Sequence, residues 1–147
     1  MTDLNYRQRS SYRVKRLFQT LRARVDEALD PLGLSMPQYG ALTVLQAEGR
    51  LSNAALARLN FVTPQTMLRI VGGLEAGGFI TRDPSSTGKS IQFQVSETGH
   101  LKLEEAHALV TKIERQMVGG LAPDTAALFL QSLDRCAETL AGGSEAQ

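Results

Sequence analysis

The sequence predicts a mainly α protein with a small β-wing. Two observations predict it. Apolar residues recur at steps of three and four over most of the chain, the period of a half-buried helix. One stretch, residues 91–96, switches to strict alternation and follows a polar turn, the pattern of a β-hairpin.

Each element follows in order. Residues 11–31 read as a helix with Val14, Leu17, Phe18, Leu21, Val25, Ala28 and Leu29 on one stripe. Ser10 or Ser11 can cap it, and Pro31 and Gly33 end it. Residues 36–48 form a second helix. Ser35 with Gln38 fits a capping box, Pro37 falls in the first turn, Tyr39, Leu42 and Leu45 face inward, and Gly49 stops the helix. Ser52 starts a short third helix, Asn53 to Leu59, with Leu56 and Leu59 inward. After the turn Asn60-Phe61-Val62, Thr63-Pro64 opens a fourth helix that runs to about Ala76 and buries Met67, Ile70, Val71 and Leu74. Phe79 to Arg82 is a strand, Pro84 to Gly88 a polar turn, and Ile91, Phe93 and Val95 the apolar side of a second strand. Helical spacing returns at 97–118 with Leu101, Ala106, Leu109, Val110, Ile113 and Met117. A last helix opens at Pro123 and carries Leu130, Leu133, Cys136, Ala137 and Leu140 on one stripe, so Cys136 reads as core filler. The tail from Gly142 to Gln147 reads as disordered.

The totals narrow the function. At 147 residues with one cysteine, the chain has one domain's length and no disulfide framework. It has no run of ~18 apolar residues and no apolar leader, which places it in the cytoplasm with no membrane partner. The net charge is only +1, but it is unevenly spread. Residues 1–25 and 50–96 are basic, while 26–49 and 97–147 are acidic. No phosphate-binding loop, nucleophile elbow or metal-hydrolase motif is present, so no enzyme and no cofactor are expected. His100, Glu104 and His107 share a helix face, but three such residues read more simply as solvated surface than as a metal site.

The order helix, helix, short helix, turn, capped helix, strand, turn, strand is that of a winged helix-turn-helix. The fourth helix, with its hydroxyl cap and proline, suits insertion into the major groove of double-stranded DNA. With Met67, Ile70, Val71 and Leu74 inward, Gln65, Thr66 and Arg69 point outward, and all three can read base edges. Thr63 and Ser52, at the starts of the fourth and third helices, are phosphate candidates. Arg82 and Lys89 flank the wing turn, where cations meet the minor groove or the backbone.

At this point the chain resembles the MarR family of bacterial regulators. The resemblance rests on Leu34-Ser35-Met36-Pro37-Gln38-Tyr39, on Leu51-Ser52 with Leu56-Ala57, and on Val62-Thr63 through Arg69-Ile70-Val71. It continues through Leu74-Glu75, Gly78-Phe79-Ile80, Arg82, Asp83-Pro84 and Val95-Ser96-Glu97-Thr98-Gly99. It implies a homodimer with interlocking first and last helices, bound to an inverted-repeat operator as a repressor and released by a small aromatic or phenolic ligand. It also implies the division into a dimerisation arm (1–33), a DNA-binding region (34–98) and C-terminal dimerisation helices (99–147). The effector would lie among the first, second and fifth helices, near Arg13, Phe18, Arg22 and Tyr39. The sequence departs from the family in two places. Thr87 and Lys89 stand where the wing commonly has Asp and Arg, and Gly72-Gly73 interrupts the recognition helix. Those departures motivate the alternative, a winged-helix protein-interaction module with weak or lost DNA binding.

Overall fold

The computed structural model describes residues 5–88 and 91–143. Its elements are α1 (Ser10–Leu29), α2 (Met36–Glu48), β1 (Leu51–Ser52), α3 (Asn53–Leu59), α4 (Pro64–Ala76), β2 (Ile80–Arg82), β3 (Gln92–Val95), α5 (Glu97–Val118) and α6 (Pro123–Gly142), with 3-10 turns at Tyr6–Gln8 and Asp30–Leu32. The chain forms two compact units, one ending at Thr111 and the other starting at Lys112.

The helix ends follow local chemistry. The Ser35 hydroxyl accepts from the Gln38 N–H at 3.4 Å while the Gln38 side-chain Oε1 accepts from the Ser35 N–H at 2.9 Å, a complete capping box. Ser52 Oγ accepts from the Ala55 N–H at 3.2 Å, and Thr63 Oγ1 from the Thr66 N–H at 3.1 Å. Such a cap is worth about 1 kcal/mol. The expected serine cap of α1 is not formed. Arg9 occupies that position without a side-chain bond, and both serines lie within the first turn. After α1 the chain tightens through Asp30–Leu32, and Gly33 turns it with φ 73°, a conformation that favours glycine.

The hairpin gains a third strand that the sequence reading lacks. The antiparallel order is β1-β3-β2, with Leu51 opposite Phe93 and Arg82 opposite Phe93 on the other side. Two residues are too few to show a period, so only pairing reveals β1.

In the first unit the core is built from Val25 and Leu29 of α1, Leu42 and Leu45 of α2, Leu56 of α3, Met67, Val71 and Leu74 of α4, Ile80, Phe93, and Leu103, Ala106 and Val110 of α5. Three expected core residues of α3 and α5 are not in it: Leu59 is 38%, Leu101 60% and Leu109 36% exposed. Leu103 takes the inward position because the buried row of α5 runs 103, 106, 110, two residues off Leu101. Gly99 admits α5 beneath the wing, since a Cβ there would overlap the Phe79 carbonyl oxygen.

The terminal helices correct the sequence reading more sharply. On α1, Val14 and Phe18 are exposed. In the second unit α6 buries no residue at all, and Cys136 is exposed instead of filling a core. The periodic stripe is real, but among the described residues α6 keeps it uncovered. Of the tail read as disordered, residues 144–147 lie outside the described residues.

Candidate nucleic-acid interface

The interface is built on α4. Met67, Val71 and Leu74 are buried and Ile70 is half-buried, so the helix has one inner side. Gln65 and Arg69 are consequently exposed on the opposite side, and Thr66 is half-buried on its flank. The Thr63 hydroxyl donates to Thr66 Oγ1 at 3.0 Å, which leaves the Thr66 hydrogen to donate outward. Asn53 Nδ2 donates to the Pro64 carbonyl at 3.0 Å and so ties the start of α3 to the start of α4. Ser52 is half-buried with its oxygen already engaged as the α3 cap. From Pro64 to Leu74 α4 carries no acidic residue.

The paired glycines do not break this helix, which is continuous from Pro64 to Ala76. They have different surroundings. A Cβ on Gly73 would lie 2.7 Å from Gln38 Nε2, in the side chain that completes the α2 capping box, whereas one on Gly72 would meet nothing within 4 Å. Gly73 is therefore a packing residue between α2 and α4.

The wing is held by ion pairs that spacing did not reveal. Arg82 makes a two-pronged contact to Glu75, Nε at 3.0 Å and Nη2 at 3.3 Å, and its guanidinium lies 5.9 Å from the Phe93 ring centre. This expected DNA-contact residue is thus anchored to the end of α4, and the Glu75 bonds hold its proton more tightly than in a free arginine. Asp83, 5% exposed, accepts from the Ser85 N–H at 3.0 Å and hydroxyl at 2.8 Å. It also accepts from Arg50 at 3.2 Å, and Arg50 in turn reaches Gln94. The Ser85 bonds, with the Arg50 charge, hold the Asp83 carboxyl below the usual carboxylate range. Arg50 and Asp83 were missed because they lie 33 residues apart, and only β3, paired with β1 on one side and β2 on the other, brings their strands together. Lys89 lies outside the described residues.

A cavity of about 440 Å³ lies beside this surface, within the range of small-molecule sites. Phe18 and Arg22 of α1 form one wall, Met36, Pro37 and Gly40 of α2 the floor. Asn60, Phe61 and Val62 of the α3–α4 turn, with Ile70 of α4, form the other wall. Arg22 is steadied by Asp26 at 3.5 Å, and Asp26 also accepts from the Met36 N–H at 2.6 Å. Phe61 is 95% exposed with φ 57°, a backbone conformation costly for an aromatic residue. Of the four expected effector residues, Phe18 and Arg22 line the cavity, and Arg13 and Tyr39 do not. The cavity is lined by α1 and the helix-turn-helix, and none of its lining residues belongs to α5. Tyr39 faces α5, with its hydroxyl 2.7 Å from His107 Nδ1, while His107 Nε2 lies 3.3 Å from Gln46 Oε1. His107 is thus a half-buried link between α2 and α5, not the surface histidine expected from the helix face. No helix among the described residues is long and apolar enough to cross a membrane.

Comparison with known proteins agrees with this geometry. Residues 32–89 match the model of the MarR family. The HTH-type transcriptional repressor Rv2887 of Mycobacterium tuberculosis is 32% identical over 125 residues, 84% of this chain and 90% of that protein. The crystal structure of the Mycobacterium tuberculosis MarR family protein Rv2887 in complex with DNA superposes with a TM-score of 0.73 at 28% identity, covering 87% of this chain and 97% of that one. Its complex with p-aminosalicylic acid gives a TM-score of 0.73 at 30% identity over 88% and 98% of the two chains. The chain belongs to the MarR family.

Proposed function

We propose that this chain is a transcriptional repressor that binds operator DNA as a homodimer and releases it when a small aromatic acid enters the cavity beside α4. The observation that carries the reading is the outer side of α4: capped, acid-free to Leu74, and exposing Gln65 and Arg69 beside a wing. Gln65 and Arg69 read base edges, since glutamine pairs with adenine and arginine with guanine. Thr66 adds a hydroxyl, while Thr63 and Ser52 sit where the first turns of α4 and α3 meet phosphate. Arg82 acts mainly by locking the wing to Glu75, and Lys89 supplies its charge to the DNA backbone.

Two copies are needed because one recognition helix covers only a half-site; paired helices span one DNA turn, ~34 Å. The bare apolar side of α6 supports self-association. In the cavity, Arg22 pairs a carboxylate and Phe18 meets the ring. A ligand seated between α1 and the α3–α4 turn favours one spacing of these walls over another, and so biases where α4 points. The relative solved both on DNA and with p-aminosalicylic acid supports both halves of this reading. The protein works where the chromosome is, in the cytoplasm, and catalyses nothing.

Fluorescence anisotropy with the DNA upstream of its own gene tests the proposal, against a scrambled duplex, at two salt concentrations, with and without salicylate. Selective binding that weakens steeply with salt and is lost with salicylate is expected. Equal, weak binding to both duplexes would favour a winged-helix protein-interaction module instead.

A further inference from the structure

One residue on the outer side of α4 has no role in the reading so far. Leu68 is 58% exposed, although every other large aliphatic residue of this helix is buried or half-buried. It lies three residues after Gln65 and four before Gly72, so helical geometry places it in the same outward row. Gly72 leaves the space beyond it open, with nothing within 4 Å of a would-be Cβ. Leu68 is therefore an apolar knob among hydrogen-bonding residues, with no bulk beyond it at Gly72, and the acid seven residues on, Glu75, is paired with Arg82.

The major groove offers one apolar feature, the C5-methyl group of thymine. Resting on the reading of α4 as the recognition helix, we infer that Leu68 is a specificity-determining residue that reads a thymine methyl in each half-site, beside the bases read by Gln65 and Arg69. The open space at Gly72 lets α4 lie deep enough in the groove for this contact, where a longer side chain would hold the helix off. The ligand of Leu68 is thus a 5-methylpyrimidine.

The test starts by selecting bound duplexes from a random pool with the full-length protein. Each thymine of the selected operator is then replaced in turn by deoxyuridine, which removes only the methyl group. One thymine per half-site should weaken binding about fourfold when demethylated, the worth of one buried methyl. Leu68→Ala should bind the parent operator less tightly and be indifferent to that same replacement. Leu68→Met, which keeps an apolar knob, should restore sensitivity to the methyl. The inference is overturned if no thymine methyl matters to the parent protein, or if Leu68→Ala still feels its loss. Should no sequence be enriched from the pool, the DNA-binding reading falls and takes the inference with it. Position 68 is exposed, so equal melting temperatures for all three proteins are expected and show that the differences arise at the DNA.

Discussion

Helices α4 and α6 carry the same sequence signature and meet opposite fates. Each begins with proline at its first positions and repeats apolar residues at helical spacing. In α4 most of that stripe is covered: Met67 and Leu74 are 0% exposed and Val71 2%. In α6 nothing is buried, and Leu128, Leu130, Leu133 and Leu140 all lie open. An apolar stripe states that a surface wants covering. It does not state whether the cover comes from the same chain, and under the proposed function the difference separates a DNA-facing module from a surface for a second copy.

The sharpest way to break this comparison is to charge each stripe's residues or empty them. The double variant Leu130→Glu, Leu133→Glu should halve the particle mass by light scattering, to the 16.0 kDa of one chain. It should also weaken operator binding by roughly 10²- to 10⁴-fold, because two half-sites are no longer engaged together. A dimer that survives it would mean that α6 is not the self-association surface. In α4, by contrast, Leu74→Ala should leave the mass of the folded particle unchanged and cost about 2–5 kcal/mol in urea denaturation, the range for a cavity in a closed core.

Smaller changes sharpen the contrast within α4 itself. Gly72→Ala should stabilise the helix by about 0.5–1 kcal/mol, since it adds helix propensity into open space. Gly73→Ala should fail to gain this, because its methyl must displace Gln38 from the Ser35 capping box. Equal melting temperatures for the two variants would contradict the packing role of Gly73. The smallest effect concerns acid. Asp83 has a lowered carboxyl affinity for protons in the folded wing, so its contribution to stability is present above the unfolded value of about 3.9 and is lost as pH falls through the folded value. Melting curves from pH 7 down to pH 3 should show this loss for the parent protein and a flatter acid limb for Asp83→Asn.

Much of this was legible in the chain. The caps at Ser35, Ser52 and Thr63 were readable because a cap is made within three residues of itself. The outward placement of Gln65 and Arg69 followed from the period of Met67, Ile70, Val71 and Leu74. What was not legible depended on residues far apart. The Arg50–Asp83 and Tyr39–His107 contacts join positions that no local pattern links, and the two-residue strand β1 exists only through its partner. The cavity, too, drew Phe18 and Arg22 together with Asn60 and Phe61, which no spacing rule associates.

The chain alone was enough to place the ends of α2, α3 and α4, the apolar side of α4 and the order that makes a winged helix-turn-helix, because these depend on hydrogen bonds and periodicities within a few residues. The folded chain was needed to show which apolar sides are covered, where the inward row of α5 runs, which cations are already paired, and where a ligand-sized space remains. Burial and charge pairing are properties of distance in space, and distance along the chain does not measure it.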